Sequence, residues 1–543
     1  MNKLKIALIS RRIRLQRLAL CDIIALHKRL KEGMDFMGAR YFDARDNVYA
    51  ADDPQAKANV FLTMTPDCGE ILPYGAVKDK LPIPVWTGRS DVVDCYYKTW
   101  EICWGNLRVG NTDAGYVANF IDTAFNGDLF MWDSSFILMF GKYASRYFDF
   151  QRTLDNFYAH QNRDGFITRQ LKEQVYGDRF TRDDPVSTGP NIMPWSEWEY
   201  YLSTGDKERL GRVFDPLCAY HNWLRLNRSW QDGTYWSCGL ACGMDNSPRQ
   251  ESKYNVHVSH GFMSWIDTCA QQYLSANILN EMSKILGRAA EAESYREEMK
   301  FLERVVNEKM WDEQTAFYYD KRRDGTLSGV KTVGSYWTLL AGLVPEERRD
   351  RFVAHLDNER EFKRPNRVPT LSADHPEYNP EGGYWKGAVW APTNYMVLCG
   401  LNKYGYNKLA FEIASEHVDN VVKVFTKTGT VFENYASEEA EKGRPAKSDF
   451  VGWTGLSSIA ILFEYVFGIH PDAQQRCLLW NVNLVDEHGV KQYPLGDATV
   501  DMVCEKRSSA EDAPIIHLTS DKPITLKVVC NGKSTLYENV TCI

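Results

Sequence analysis

Hydrophobic positions between residues 128 and 469 recur with the spacing of amphipathic helices, and polar turns that contain glycine separate them. Apolar residues three and four apart lie on one face of a helix, so each run predicts a helix with one buried side. The unit is a helix pair followed by a polar turn and aromatic residues, which makes a weak repeat of irregular period. The predicted helices cover residues 133–160, 196–203, 204–230, 261–286, 290–310, 334–342, 345–356, 388–403, 407–426 and 451–467.

Each predicted helix pair exposes an apolar face that a neighbouring pair has to cover. An open superhelix would satisfy this need, but a closed double-layered barrel leaves no exposed ends. About six pairs in roughly 350 residues indicate a mainly α protein built as an (α/α)₆ toroid. In such a toroid the ends of the inner helices and their loops converge on a central cavity.

Two flanks differ from this helical region and divide the chain into three predicted domains, 1–116, 117–469 and 470–543. The first combines a basic N-terminal helix with a segment over residues 50–116 that is rich in Pro, Gly and aromatics. That segment lacks helical periodicity, which predicts strands and loops. The last domain carries alternating short apolar runs typical of strands and is predicted to be a small β appendage.

Composition narrows the choice of partner. The 543-residue chain is 44% apolar and 25% charged, as in ordinary globular proteins, and its formal net charge of −8 argues against a nucleic-acid partner. Aromatic residues make up 13% of the chain and cluster in polar connections, where they favour a small carbohydrate, whose flat C–H faces stack on aromatic rings.

The sequence lacks the features of a membrane protein, a secreted protein and a metalloprotein, and its location and cofactors are predicted from this. No segment approaches the ~20 apolar residues of a membrane-spanning helix, and the basic residues 1–31 hold too short an apolar run for a signal peptide. The 13 cysteines have no repeating spacing, which favours reduced thiols and a cytoplasmic protein. Cys238 and Cys242 are interpreted as packing residues, and no metal or cofactor is predicted. The oligomeric state is left open.

Two carboxylates in separate aromatic-rich turns are the candidate catalytic groups. Asp245 lies in Gly243–Arg249, and Glu433 lies between Phe432 and Tyr435. Hydrolysis of a glycosidic bond needs one carboxylic acid to protonate the leaving oxygen and one carboxylate to activate water or attack carbon. The alternatives are that Asp245 is a turn former or helix cap and that Glu433 is one of several surface carboxylates in an acidic run.

Four separated motifs, in this order, resemble those of the (α/α)₆-barrel glycoside hydrolases of the trehalase, mannosyl-oligosaccharide glucosidase and mannosylglycerate hydrolase kind. The resemblance covers most of residues 128–469. The motifs are Phe-Met-Trp-Asp-Ser at 130–134, Gly-Met-Asp-Asn-Ser-Pro-Arg at 243–249, Gly-Tyr-Trp-Lys-Gly-Ala-Val-Trp at 383–390 with Asn394 and Tyr395, and Glu-Asn-Tyr at 433–435 with Gly-Trp-Thr-Gly at 452–455.

The resemblance implies that Asp245 is the general acid, that Glu433 is the general base, and that the reaction inverts the anomeric centre. Apolar neighbours of Asp245 support the acid role, because partial desolvation raises a carboxyl pKa. Inversion places the two carboxyl groups roughly 6.5–9.5 Å apart. By the same resemblance eight residues bind the sugar or its leaving group: Trp132, Asp133, Arg249, Trp385, Lys386, Trp390, Asn394 and Tyr435.

Alternatives stay open for three of these binding residues. Asp133 is also a candidate helix N-cap with Trp132 in the core, and Arg249 is a loop anchor or a sugar ligand. Lys386 stands where the family usually has Arg, which replaces a planar two-pronged donor by a flexible single charge. Residues 436–438 also depart from the family pattern. Both departures affect the expected substrate more than the expected reaction.

The sequence therefore predicts an inverting α-glycosidase acting on a small α-glucoside or α-mannoside, in a pocket closed by the N-terminal aromatic segment. The alternative is a glycan-binding pseudoenzyme that keeps the barrel without turnover. A polysaccharide lyase is disfavoured, since it would want a basic groove for its acidic polymer and this chain is acidic.

Overall fold

The computed structural model describes residues 52–123, 126–172, 177–178 and 180–543. The predicted basic N-terminal helix lies outside the described residues. No helix in the described part of the chain is both long enough and apolar enough to span a bilayer.

Twelve helices of the described residues form two layers. Six inner helices contact one another in a closed ring, in the order α2, α4, α6, α8, α10, α12 and back to α2. The predicted (α/α)₆ fold is thereby confirmed. The helices are α1 Ser90–Gly105, α2 Met131–Gly141, α3 Thr153–Ala159, α4 Met193–Thr204, α5 Lys207–Asn227, α6 Ile266–Ile285, α7 Glu293–Lys309, α8 Trp337–Ala341, α9 Glu346–Val353, α10 Ala391–Lys403, α11 Asn407–Thr428 and α12, two π-helical segments Leu456–Ala460 and Leu462–Val466.

The two layers differ in how their residues are buried. Every residue of α2 is buried, as expected of a helix that is apolar on all sides. The outer helix α7 is amphipathic and buries only Tyr295, Glu298, Leu302 and Val306, which recur at helical spacing. Helices α3, α5, α7 and α11 each pack on the inner helix that precedes them in the chain.

Helix α1 corrects the prediction of strands and loops over residues 50–116. It packs on α11 and α12 and completes the outer layer, so the first barrel helix lies before the predicted barrel boundary. Its buried positions include Tyr96, Trp100 and Trp104, which lie four residues apart on one face. The aromatic residues of this segment therefore carried the helical periodicity that the sequence interpretation had assigned to loops. Short helices Pro54–Lys57 and Tyr74–Val77 precede α1.

The C-terminal strands and one strand before α1 form a seven-stranded sheet, in the order β1-β4-β5-β6-β3-β2 with β7 paired to β6. The sheet packs at the C-terminal end of α4, where Ala473 N–H donates to Leu202 O over 2.7 Å. The sheet therefore lies at the C-terminal ends of the inner helices, and the loops that precede these helices lie at the opposite end of the barrel. The strands are β1 Ile83–Trp86, β2 Ile469–Asp472, β3 Cys477–Asn481, β4 His488–Leu495, β5 Ala498–Cys504, β6 Ile516–Cys530 and β7 Lys533–Cys542.

Shorter strands pair within the loops. They are Leu107–Arg108 with Phe120–Ile121, Asp128–Phe130 with Gln170–Lys172 and Gly177–Asp178, and Trp311–Asp312 with Phe317–Tyr318.

We expect Trp100→Ala to lower the free energy of unfolding by about 3–5 kcal/mol, because it removes a fully buried indole. The ring lies 5.7 Å from Phe140 of α2 and 5.8 Å from Trp104, centroid to centroid. Urea denaturation of the full chain measures the change. The control is Glu101→Ala on the same helix, an exposed residue that pairs with Lys98 and whose loss costs about 0.5 kcal/mol or less. Equal effects of the two substitutions would contradict the placement of α1 in the barrel core.

Candidate active site

A cavity of about 180 Å³ lies at the N-terminal ends of the inner helices. The loops before α2, α4, α6, α10 and α12 all contribute to its wall, as the prediction of convergent loops requires. The lining residues are Phe130, Trp132, Asp133, Arg169, Gly189, Pro190, Leu240, Gly243, Asp245, Tyr384, Trp385, Glu433, Phe450 and Trp453.

A glycine positions the Asp245 loop against Trp132. The short helix Gly239–Cys242 ends at Gly243, whose φ of +79° lies in the left-handed region that glycine adopts without strain. A Cβ atom at position 243 would lie 2.8 Å from the Trp132 ring. Both conditions require glycine, and together they bring the loop onto the indole at the start of α2.

Asn246 ties the Asp245 loop to the segment before α10. Its Oδ1 accepts a hydrogen bond from Trp385 N–H at 2.9 Å, and its Nδ2 donates to Gly383 O at 3.0 Å. One amide thus satisfies a donor and an acceptor of the neighbouring backbone. The position of Asp245 is thereby fixed relative to Tyr384 and Trp385, which line the other side of the cavity.

Glu433 is held by donors on both carboxylate oxygens. The hydroxyl of Tyr384 donates to Oε1 at 3.1 Å, and the backbone N–H of Lys447 donates to Oε2 at 3.1 Å. The indole N–H of Trp453 donates to the Glu433 carbonyl at 2.9 Å and fixes the backbone. Donors aimed at a carboxylate favour its ionised form.

Three carboxyl groups share this cavity, and the pKa of each is raised. Burial raises the pKa of Asp133 to about 8, and the charges of Glu433 and Asp245 act in the same direction. Burial also raises the pKa of Asp245, against the opposing charge of Arg169. Burial raises the pKa of Glu433, although the hydrogen bonds from Lys447 and Tyr384 act in the opposite direction.

Trp132 contributes both an apolar wall and a donor. Its side chain is 7% exposed, and its indole meets Phe136 edge to face with centroids 4.8 Å apart. Its Nε1 has no hydrogen-bond partner among the described residues. A buried N–H without a partner is unusual in proteins, so this donor is available to a ligand in the cavity.

The structure brings five of the ten predicted site residues to one cavity: Trp132, Asp133, Asp245, Trp385 and Glu433. The other five, Arg249, Lys386, Trp390, Asn394 and Tyr435, lie outside its lining.

Arg249 is a loop anchor, and its predicted role as a sugar ligand is corrected. The guanidinium is 1% exposed and binds the carboxylates of Asp267 and Asp320, with Nη2 at 2.9 Å from Asp267 Oδ1 and Nε at 2.8 Å from Asp320 Oδ2. It also stacks on Trp265 at 4.4 Å. All of these partners are protein groups, which leaves the guanidinium with no exposed face for a substrate.

Lys386 and Trp390 also support the cavity from outside. Lys386 Nζ pairs with the half-exposed carboxylate of Glu377 at 2.6 Å. The Trp390 ring stacks on Trp385 at 3.9 Å with an interplanar angle of 5°, and its Nε1 donates to Tyr384 O at 3.1 Å. Trp390 is fully buried and acts as the layer behind Trp385.

Asn394 and Tyr435 are buried in the same supporting layer. Asn394 accepts a hydrogen bond from Val368 N–H at 3.0 Å and donates to Val368 O at 3.2 Å. The Tyr435 hydroxyl accepts from Phe432 N–H at 3.1 Å, next to Glu433. Through these hydrogen bonds the two side chains fix the backbone around the cavity.

Sequence reasoning missed several residues of the lining, among them Arg169 and Phe450. Arg169 donates from Nε to Val186 O at 2.6 Å and stacks on Phe180 at 4.7 Å. It lies in a connection without periodicity, where only the folded chain places it beside Asp245. The predicted closure of the pocket by the N-terminal aromatic segment is wrong, because no described residue from 52–116 is in the lining.

The closed helical ring and the acidic cavity at its loops are those of a six-hairpin glycosidase. The family model of the mannosylglycerate hydrolase MGH1-like glycoside hydrolase domain matches residues 128–454, more than half of the chain. The chain belongs to this family and is a glycoside hydrolase.

The chain is also similar to two other proteins and to a solved structure. An uncharacterised protein of Borreliella burgdorferi is 24% identical over 439 residues, 77% of this chain and 88% of that protein. A probable mannosyl-oligosaccharide glucosidase of Schizosaccharomyces pombe is 27% identical over 284 residues, 49% of this chain and 33% of that protein. The GH63 mannosylglycerate hydrolase of Thermus thermophilus, solved in complex with glucose, superposes with a TM-score of 0.54 at 20% identity, over 67% of this chain and 99% of that one. This last likeness shows the fold.

Arg249→Met should lower the free energy of unfolding by about 3–5 kcal/mol, because it leaves the carboxylates of Asp267 and Asp320 buried without their cation. The matched control is Lys386→Met, which breaks a half-exposed ion pair and should cost less than about 1 kcal/mol. Denaturant unfolding measures both. If Arg249 instead bound the sugar, Arg249→Met would leave the free energy of unfolding unchanged and would weaken the binding of substrate.

Asp133 should make the free energy of unfolding fall as the pH rises from about 4 to about 8, since its pKa of about 8 lies above that of an unfolded carboxyl. In this range the folded protein keeps a proton that the unfolded chain releases, so raising the pH favours unfolding. Urea denaturation at several pH values should show a smaller fall in Asp133→Asn than in the unsubstituted protein. Asp113→Asn, at an exposed position, should leave the slope unchanged. Equal slopes in all three proteins would contradict the assignment.

Proposed function

We propose that this protein hydrolyses the α-glycosidic bond of a small glucoside or mannoside with inversion, Asp245 acting as general acid and Glu433 as general base. The observation that carries the proposal is that the two carboxyl groups, far apart in the sequence, line one enclosed cavity together with Trp132 and Asp133.

The surroundings of the two carboxyl groups differ, although burial raises the pKa of both. Burial raises the pKa of Asp245, which helps it to keep the proton that a leaving oxygen needs. Glu433 receives a hydrogen bond on each oxygen, from Tyr384 and from the Lys447 backbone, and both bonds favour the ionised form of a base. At Glu433 these hydrogen bonds oppose the effect of burial, and this difference between the two sites supports Asp245 as the acid and Glu433 as the base.

The binding surface suits one sugar ring. A cavity of about 180 Å³ is small compared with the ~300–1,000 Å³ typical of ligand pockets, which favours a single residue over a chain. Trp132 and Trp385 supply apolar walls for the C–H faces of a sugar. The unpaired N–H of Trp132 can donate to a hydroxyl, and the carboxyl oxygens of Asp133 can accept hydrogen bonds from sugar hydroxyls.

The names of the relatives support a glucoside or a mannoside as substrate. The similar proteins include a probable mannosyl-oligosaccharide glucosidase and a mannosylglycerate hydrolase, and the latter was solved with glucose bound. The supporting residues differ from the family at Lys386, which pairs with Glu377 outside the cavity.

Hydrolysis should fall by about 10²–10⁴-fold in both Asp245→Asn and Glu433→Gln, as expected when a general acid or base is lost. The assay incubates the protein with α-linked glucosides, mannosides and short disaccharides and follows the products by NMR. Inversion predicts that the first sugar released is the β anomer. Glu439→Gln, an exposed carboxylate six residues from Glu433, is the matched control and should keep full activity.

Three results would contradict the proposal. Release of the α anomer first would exclude inversion. Full activity in either carboxamide variant would exclude its role as acid or base. Binding of these sugars without turnover in the unsubstituted protein would instead favour the glycan-binding pseudoenzyme.

A further inference from the structure

A second cleft, outside the catalytic cavity, combines aromatic and basic side chains. It has a volume of about 350 Å³, within the range of ligand sites. The loop after α5, the residues before α6 and the turn after strand Phe317–Tyr318 form its wall. The wall includes Trp230, Asp232, Phe262, Lys321, Arg322 and Arg323.

Phe262 presents an aromatic ring to solvent on a strained backbone. The residue is 42% exposed, and its φ of +54° lies in the left-handed region. A non-glycine residue in this region costs about 1–3 kcal/mol, and such residues cluster at functional sites.

The Phe262 ring is fixed by its neighbours. Trp230 lies nearly parallel to it, with centroids 6.4 Å apart and an interplanar angle of 19°, and His260 meets it edge to face at 4.6 Å. The indole N–H of Trp230 donates to Met263 O at 2.8 Å. The two parallel rings form a rigid platform of the kind on which a sugar face stacks.

Three consecutive cations border this platform, and a carboxylate pairs with the first of them. Lys321 pairs with Asp232 at 2.9 Å. Arg323 lies over the Phe262 ring at 5.7 Å. Arg322 donates from Nη2 to Ser328 O at 2.9 Å, which holds its guanidinium in place without neutralising it.

Three cations at the cleft, Lys321, Arg322 and Arg323, face two nearby carboxylates, Asp232 and Asp324. Among the described residues, no carboxylate forms an ion pair with Arg322 or Arg323. Asp324, next in the turn, is exposed and lies outside the lining. Hydrogen bonds from Thr326 lower its pKa, and the charge of Arg322 acts in the same direction. A local excess of cations in a chain of net charge −8 favours an anionic ligand at this place.

We propose that this cleft binds a sugar that carries a negative charge, a carboxylate or a phosphate, with the ring on Phe262 and Trp230 and the anion at Arg322 and Arg323. Trp230 contacts Trp236 at 6.0 Å, and Trp236 lies on the segment that leads into the Asp245 loop. The cleft therefore opens beside the same barrel loops as the catalytic cavity. Binding here needs no turnover, so the inference does not depend on the proposed function.

Binding titrations of the full chain test the proposal, with glucuronic acid, glucose 6-phosphate, glucose and inorganic phosphate as probes followed by NMR. At least one of the two charged sugars should bind, with an affinity at least fivefold weaker in both Arg323→Gln and Phe262→Gly. Which charged sugar binds distinguishes the carboxylate from the phosphate. Phe262→Gly also removes the left-handed strain, which offsets part of the lost ring contacts, and urea denaturation checks that the variant folds.

The control is Arg349→Gln, which removes a guanidinium that stacks on Tyr404 at 4.3 Å outside the cleft and should leave the affinities unchanged. Absence of binding by both charged sugars would overturn the proposal. So would an affinity that Arg323→Gln or Phe262→Gly leaves unchanged. Binding of inorganic phosphate as tightly as the charged sugars would also overturn the proposal, because the sugar ring would then contribute nothing. Binding of glucose that Arg323→Gln and Phe262→Gly weaken equally would overturn it too, because the negative charge would then contribute nothing.

Discussion

The cavity brings three carboxyl groups close together, and the electrostatic cost of this arrangement is the constraint that the rest of the structure has to meet. Asp133, Asp245 and Glu433 share a cavity of about 180 Å³, and Arg169 is the one cation among the described residues of its lining. Burial raises the pKa of each carboxyl, and the charges of neighbouring carboxylates add to this effect at Asp133 and Glu433. Unsupported loops would relieve this repulsion by moving apart. The barrel has to prevent that movement, and its buried core supplies the stability that allows it.

The restraint comes from residues behind the cavity wall. Arg249 fixes the Asp245 loop to the start of α6 through two buried carboxylates, and Asn246 fixes the same loop to the segment before α10. The Trp385–Trp390 stack supports that segment in turn. This arrangement explains why several motif residues do not line the cavity. A motif marks the residues that hold a site in shape as well as those that contact its ligand.

Much of the fold could be predicted from the sequence because helices of a double-layered barrel carry a strong hydrophobic period. One exception is α1, whose buried face includes Tyr96, Trp100 and Trp104, residue types equally common in loops near sugars. Another is the predicted helix 133–160, which the structure divides into α2 and α3. Asp245 and Glu433 could be found because each stands in a distinctive aromatic turn. Arg169 could not, since its contribution depends on the packing of an irregular connection, and no local pattern separates it from a surface arginine. The buried roles of Asn394 and Tyr435 likewise depend on backbone partners that only the fold supplies.

The central claim is that Asp245 and Glu433 bracket one sugar ring. A crystal structure of Asp245→Asn with a thio-linked disaccharide that cannot be cleaved tests it most directly. We expect a ring between Trp132 and Trp385, with position 245 beside the linking sulfur and an ordered water between Glu433 and the opposite face of the anomeric carbon. A sugar bound elsewhere, or Glu433 on the same face as the leaving group, would contradict it.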